Sequence, residues 1–262
     1  MIDGKNYVLS LSYGKDSMAC LGAIEKLGLP LDDIVHAEVW ATDTVPADLP
    51  PMVEFKNKAD KIIKERFGID VRHVCAMRDG EKITYEKLFY GLRKTGNNAG
   101  KIYGFPAQKA AWCVSRLKTD VLENKNNSVK YIGIAADENE RIERNRKPGF
   151  IMPLVEVGWS ESDCLNWCKE NDLLSPIYEN SFRSGCWFCH NQGVGQLRSL
   201  REKYPQLWRL MIKWGGDSPV PFKIDRQYSI ANLDKRFELE EKGLVPKDKT
   251  FRWKMIKEQE KV

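Results

Sequence analysis

The tract from Tyr7 to Leu27 constrains the fold more than any other part of this chain. A short apolar run, Tyr7–Ser12, reads as a buried strand. It runs into LSYGKDSMA (Leu11–Ala19), where a Gly, a Lys, an Asp and two serines crowd one junction. From Ser17 to Leu27, the residues Met18, Leu21, Ile24 and Leu27 recur at helical spacing, and Gly28 and Pro30 stop the helix. Backbone N–H groups at such a strand-to-helix turn point outward and make an anion site.

The same alternation continues downstream. Asp33–Trp40 reads as a strand, Val53–Phe67 as a helix closed by Gly68, and Val71–Ala76 as a third strand. Val129–Ala135 (VKYIGIA) is a further strand, and Phe150–Val155 is short and extended. Ser160–Glu170 is a helix with a serine cap and Glu161 and Asp163 in its first turn. Strands alternating with helices predict an α/β fold, a parallel twisted sheet with helices on both faces. This domain is expected over residues 1–180. Residues 77–128 are polar and helical with Gly breaks, and TGNNAGKIYGFP is a loop. Beyond Pro176 the texture changes. Residues 181–262 are expected to hold a cysteine-bearing loop, RSGCWFCHNQG, then helices at Leu197–Trp214 and Ile230–Lys242. The closing WKMIKEQEKV reads as a charged, solvated tail.

No apolar run is long enough to span a bilayer, and MIDGKNYVLS is unlike a secretory leader, so no membrane partner and a cytoplasmic location are expected. The net charge of +5 is compatible with a nucleotide or nucleic-acid partner without identifying one. Seven cysteines without a secretory leader argue against a disulfide framework. Buried thiols, metal ligands and redox groups remain.

The Gly-Lys turn fails the Walker pattern, because Leu9 stands five residues before Gly14 and Asp16 stands where Ser or Thr belongs. An anion site survives this failure. Gly14 permits a tight turn, Ser12 and Ser17 offer hydroxyls, and Lys15 adds a charge. Asp16 would repel a bare phosphate. It makes sense as a helix cap, or where Mg²⁺ shares the site. The stretch Ser12-Tyr13-Gly14-Lys15-Asp16-Ser17 resembles the S-x-G-K-D-S loop of the PP-loop ATP pyrophosphatases, the superfamily that includes phosphoadenylyl-sulfate (PAPS) reductases, tRNA thiolases and DNA-phosphorothioation ATPases. The resemblance implies an adenine-nucleotide α-hydrolase-like, Rossmann-type sheet and cleavage of ATP between the α and β phosphates. The family's usual Gly is Tyr13 here.

Other segments extend the likeness in the same order. Trp40-Ala41-Thr42-Asp43-Thr44 is similar to the family's D-T-G segment, which implies that backbone groups around Trp40 and Ala41 meet adenine, with Asp43 nearby. Gly133-Ile134-Ala135-Ala136-Asp137-Glu138-Asn139-Glu140-Arg141 resembles G-x-R-x-D-E-x-x-R. It implies a phosphate or acidic-substrate contact for Arg141 and a metal role for Asp137 or Glu138. Pro153-Leu154, Trp159 and Leu174-Ser175-Pro176-Ile177-Tyr178 resemble structural positions of the reductase pattern.

Cys186-Trp187-Phe188-Cys189 is a C-x-x-C, which alone is ambiguous between metal and redox chemistry. With His190 it spells a c-type haem pattern, rejected because that attachment belongs to exported proteins. Relatives with a [4Fe–4S] cluster take cysteines from this region and from one matching Ala111–Lys118. Cys113, Cys186 and Cys189 would then be three thiolate ligands. Zn²⁺, with His190 or another Cys, is the alternative. Cys164 and Cys168 are expected to pack in the core, and Cys20 and Cys75 to be buried helix and strand thiols.

The expected activity is ATP-dependent adenylation of an acceptor for sulfur transfer, with ATP and Mg²⁺ as cofactors, Lys15, Asp16 and Arg141 in catalysis, and Ser12, Tyr13, Gly14, Ser17, Trp40, Ala41, Asp43 and Gly133 around the nucleotide. A cysteine desulfurase or sulfide would supply sulfur, and nucleic acid is one candidate acceptor. The alternatives are a sulfonucleotide reductase and a non-catalytic nucleotide- or nucleic-acid-binding module. The reductase reading lacks a nucleophile, because no cysteine follows Cys189.

Overall fold

The computed structural model describes residues 4–107, 111–122, 128–179 and 185–259. The expected boundary between 180 and 181, and Arg183 and Ser184 of the cysteine-bearing loop, lie outside them. Among the described residues, seven strands follow in chain order: β1 (Asn6–Ser10), β2 (Asp33–Glu38), β3 (Val71–Cys75), β4 (Met77–Arg78), β5 (Glu81–Lys82), β6 (Ser128–Tyr131) and β7 (Phe150–Ile151). Five of them form one sheet in the order β3-β2-β1-β6-β7, and every pairing in it is parallel. β4 and β5 make a separate antiparallel hairpin. Among the described residues, no helix is long and apolar enough to cross a membrane.

The contacts divide the chain into two compact units, Met1–Thr84 with Val114–Cys186, and Tyr85–Cys113 with Trp187–Val262. The first holds the sheet, flanked by helices. Its central strand is β1, with β2 on one side and β6 on the other. The helix after β1, α1 (Lys15–Leu27), begins two residues earlier than its apolar spacing predicts, and every residue from Ser17 to Ile24 is buried. Burial on so many sides requires close packing. A Cβ on Gly22 would sit 2.3 Å from the Trp167 ring, so Gly lets the Glu161–Glu170 helix lie directly on α1. The second long helix, α2 (Pro50–Phe67), starts at a proline, the position where a missing N–H is harmless. Ser160 caps the Glu161–Glu170 helix as expected, in a reciprocal box with Asp163.

Several boundaries differ from the sequence expectation. The strand expected over Val129–Ala135 ends at Tyr131, and the backbone at Gly133 then lies against the first turn of α1. The extended run expected to Val155 stops at Ile151, and Pro153–Glu156 is helical. Cys75 is half-buried rather than buried, because β3 is an edge strand.

The second unit has an aromatic core. The Trp187 and Trp214 rings stack with centroids 5.6 Å apart, and Tyr85, Phe89 and Phe188 pack around Trp214. Edge-to-face and stacked aromatic pairs add roughly 0.5–1.5 kcal/mol each beyond their burial. The helix expected over Leu197–Trp214 is two helices, Val194–Lys203 and Pro205–Asp217, because Pro205 cannot continue the first and starts the second. The closing segment is corrected more strongly. Lys254–Gln259 is a helix, and Ile256 is buried with Leu239, Val245 and Phe251.

Candidate functional site

The strand order reverses beside β1: the chain lays β2 and then β3 on one side of it, then β6 and β7 on the other. In open parallel sheets a crevice opens at the carboxyl ends of the strands at that reversal. A cavity of about 800 Å³ lies there. Its floor is Ser10–Ser12 and Gly14–Ser17 after β1, one wall is Ile132, Gly133, Glu138 and Arg141 after β6, and another is His36, Ala37, Val39, Ala47 and Asp48 around β2. Lys118, Glu161, Tyr178 and Cys186 also line it.

The loop holds itself together with its own hydroxyls. Ser17 Oγ donates to the Gly14 carbonyl at 3.0 Å and accepts from the Ser12 N–H at 3.1 Å. The two serine oxygens are 2.9 Å apart. Ser17 is buried, so its hydroxyl shapes the turn and Ser12 is the serine turned toward the cavity. Gly14 is the N-cap of α1, without a side-chain cap bond. Asp16 therefore does not cap the helix. The Lys15 N–H donates instead to the Tyr178 hydroxyl at 2.9 Å, which satisfies one of the exposed donors of a helix start.

Gly133 is dictated by a close approach of backbones. A Cβ there would lie 2.7 Å from the carbonyl group of Asp16 and from Ser17 Cα. Only Gly lets the segment after β6 lie against the first turn of α1. Tyr13 is the opposite case, a bulky residue at φ 56°, a left-handed conformation that costs roughly 1–2 kcal/mol. Its ring is wholly buried, and its hydroxyl donates to Asp60 and lies 3.1 Å from His73 Nε2. Burial, and then the Asp60 carboxylate, raise the Tyr13 pKa, so the phenol stays protonated. The residue anchors the loop from behind.

The cavity's charges compensate one another. Lys15 Nζ lies 2.6 Å from Asp16 and 3.4 Å from Glu161. Arg141 donates to both oxygens of Glu138, one at 2.6 Å. Carboxylate oxygens of Asp16, Glu138 and Glu161 gather within 4.8 Å of one another. The three carboxylates could share one hard cation only where Lys15 and Arg141 give up their contacts with them. Burial pushes the Asp16 carboxyl above its usual range, and Glu138 and Glu161 push the same way against Lys15. Burial alone would lower the Lys15 pKa, but Asp16 and Glu161 outweigh it and raise it. Asp137 has a different task. Its carboxylate accepts the Glu161 N–H at 3.1 Å and so supports the neighbouring helix start.

A second group, His36, Glu38 and His73, is also closely gathered. Here too an ammonium, Lys56, sits among the groups. His36 Nδ1 faces the Leu11 carbonyl at 2.8 Å, so that nitrogen carries the proton. His36 Nε2 accepts from Lys56 Nζ at 2.8 Å. Lys56 also pairs with Asp48 at 2.5 Å and Glu38 at 3.4 Å. Burial and then Lys56 push the His36 pKa down to about 3, so the ring is neutral. The network braces β2 against the loop.

The other expected nucleotide contacts lie elsewhere. Trp40, Ala41 and Asp43 are absent from the cavity lining, and the wall there is Val39, Ala47 and Asp48. The Ala41 N–H donates to the Val45 carbonyl at 2.8 Å, and Lys82 Nζ lies over the Trp40 ring at 3.1 Å. Cys186 lines the cavity in the first unit. Cys113 and Cys189 belong to the second unit, and all three thiols are half-buried. Cys164 and Cys168 are core residues, as expected, with thiols pushed up to about 12 by burial.

Tyr178, Glu161 and Lys118 are among the cavity residues that the site reading of the sequence does not include. Tyr178 and Glu161 carry structural signals there, and Lys118 sits in a single π-helical turn, Ser115–Thr119, a rare feature that often marks functional positions. No family model, curated protein or solved structure matches this chain.

Proposed function

We propose that the first unit binds ATP and cleaves it between the α and β phosphates, transferring adenylate to an acceptor that then receives sulfur. The observation that carries this reading is the cavity at the strand reversal, where the start of α1, Lys15 and Ser12 face a carboxylate triad and Arg141 across a wall made possible by Gly133. A cavity of about 800 Å³ suits a ligand of nucleotide size. Asp16, Glu138 and Glu161 are the residues that would hold Mg²⁺, which supplies charge neutralisation for a pyrophosphate leaving group.

In the proposed step an acceptor oxygen attacks the α phosphorus, the bond from that phosphorus to the α–β bridging oxygen breaks, and pyrophosphate leaves. Lys15 and the N–H groups of the first turn of α1 hold phosphate oxygens. Arg141 exchanges its Glu138 contact for a phosphate contact. Positioning and charge stabilisation supply most of such a reaction.

The test is product analysis with ATP and Mg²⁺. AMP or adenylated acceptor should form together with pyrophosphate, and Lys15→Ala should abolish both. Release of ADP and phosphate, or unchanged pyrophosphate release by the variant, would refute the proposal. We further propose that the chain holds a [4Fe–4S] cluster on cysteine thiolates, with Zn²⁺ as the alternative. Cys113, Cys186 and Cys189 are half-buried, whereas Cys164 and Cys168 sit in the core, where burial holds their thiols protonated. A cluster would supply sulfur or electrons to the activated acceptor. Anaerobic purification should give a coloured protein with iron and sulfide; a colourless, iron-free protein would remove the cluster.

A further inference from the structure

The two units differ sharply in charge. Tyr85–Cys113 with Trp187–Val262 carries 21 Lys and Arg against 11 Asp and Glu, a net of +10. The rest of the chain carries 21 against 26, a net of −5. The mild overall value conceals this separation. Charge asymmetry of this size is a signature of a polyanionic partner for one part of a chain.

One exposed, acid-free part of it is a hairpin. Leu92 and Ile102 form an antiparallel bridge. Arg93 and Lys101 pair through Arg93 N–H to the Lys101 carbonyl, and the Gly100 N–H donates to the Arg93 carbonyl, both at 2.9 Å. Two overlapping turns close the tip, with Gly96 and Gly100 at φ near 80°. Arg93 stitches the base by donating to the Tyr103 carbonyl at 2.9 Å while lying over the Tyr103 ring. Every residue from Lys94 to Lys101 is exposed, and no Asp or Glu occurs between Glu86 and Asp120.

The composition of this tip selects the kind of partner. Protein interfaces are anchored by aromatic and large apolar side chains, and KTGNNAGK has none. Lys, Thr, Asn and close-approaching Gly backbone are the groups that hold phosphates and sugars. A firmly hydrogen-bonded base presenting such a tip suits the backbone of a nucleic acid.

We propose that the second unit binds nucleic acid, and that the Arg93–Lys101 hairpin is a principal contact through Lys94 and Lys101. The proposal does not depend on ATP chemistry in the first unit. The experiment is fluorescence anisotropy of the full chain with a labelled 20-base-pair DNA duplex, the corresponding single strand and an RNA of equal length, over a series of salt concentrations. Binding to at least one should weaken steeply with salt. Lys94→Ala/Lys101→Ala should weaken it at least tenfold near 0.1 M salt and reduce the magnitude of the log–log salt slope by about 2, with its thermal melt unchanged. Lys58→Ala/Lys61→Ala, on the exposed side of α2, and Lys15→Ala should both bind like the unaltered chain. Failure to bind any of the three at low salt would overturn the proposal. So would an unchanged salt slope in the hairpin variant, loss of binding in Lys15→Ala, or binding to anionic lipid vesicles in place of nucleic acid. Loss of pyrophosphate release with intact nucleic-acid binding would count against the ATP reading alone.

Discussion

His36 shows how much one buried side chain can govern. Its ring stays neutral in the fold because burial and Lys56 hold its pKa at about 3, against 6.5 in an open chain. The folded-state value is depressed, so the stability tied to this residue is fully present above pH 6.5. It is lost as the pH falls toward 3, at roughly 1.4 kcal/mol per pH unit. The urea midpoint should therefore drop between pH 7 and pH 5, and His36→Gln should flatten that drop; an equally steep loss in the variant would assign it to other groups. Gly133 yields a second expectation. Gly133→Ala forces a methyl group into backbone that cannot swing aside, so it should cost about 1–3 kcal/mol in a thermal or urea melt and lower the proposed ATP turnover further, because the atoms displaced belong to Asp16 and Ser17. Of the cavity's lining residues, the sequence singles out Ser12, Gly14 and Lys15 through the strand-to-helix turn after β1, and Glu138 and Arg141 only through a family resemblance. Tyr13 was legible only as an oddity. Its partners Asp60 and His73 come from α2 and β3, and no local pattern announces them.

Helices and strands were legible where their signals are local. The Ser160–Asp163 box is one such signal, and Ser160→Ala should cost about 1 kcal/mol of stability, measurable by denaturant unfolding, with full pyrophosphate release expected once folded. Elements shaped by their neighbours were less legible. Pro205 was overrun because the apolar period continues across it, although a proline at a first helical position starts a new helix as readily as it ends an old one. The closing helix was missed because Lys and Glu outnumber its apolar residues, and only packing shows that Ile256 faces Leu239 and Phe251. Removing residues from 252 onward should uncover that cluster and lower the melting temperature of the second unit, by roughly 4–8 °C for each kcal/mol lost; an unchanged melt would return the segment to the status of a solvated tail.

At the scale of the whole molecule, the alternation of strands and helices was enough to announce a parallel sheet, and the order of the motifs was enough to put a cavity at the end of β1. The division into units was not announced, because Tyr85–Cys113 joins residues beyond Trp187 through aromatic packing that has no period in the sequence. The charge separation was hidden for the same reason, since it emerges only when the two distant segments are summed together.

The central position of β1 has a consequence for how the chain is made. One edge of β1 receives β2 soon after synthesis, but the other waits for β6, which begins at Ser128. At about 5–20 residues per second, that edge stays open on the ribosome for roughly 6–24 s. Meanwhile the exposed, acid-free hairpin and the first aromatic residues of the second unit emerge before the partners that complete their unit. Chains interrupted before Ser128 should thus be captured by chaperones or aggregate through the bare side of β1, whereas chains carried past Ile151 already possess every strand of the sheet.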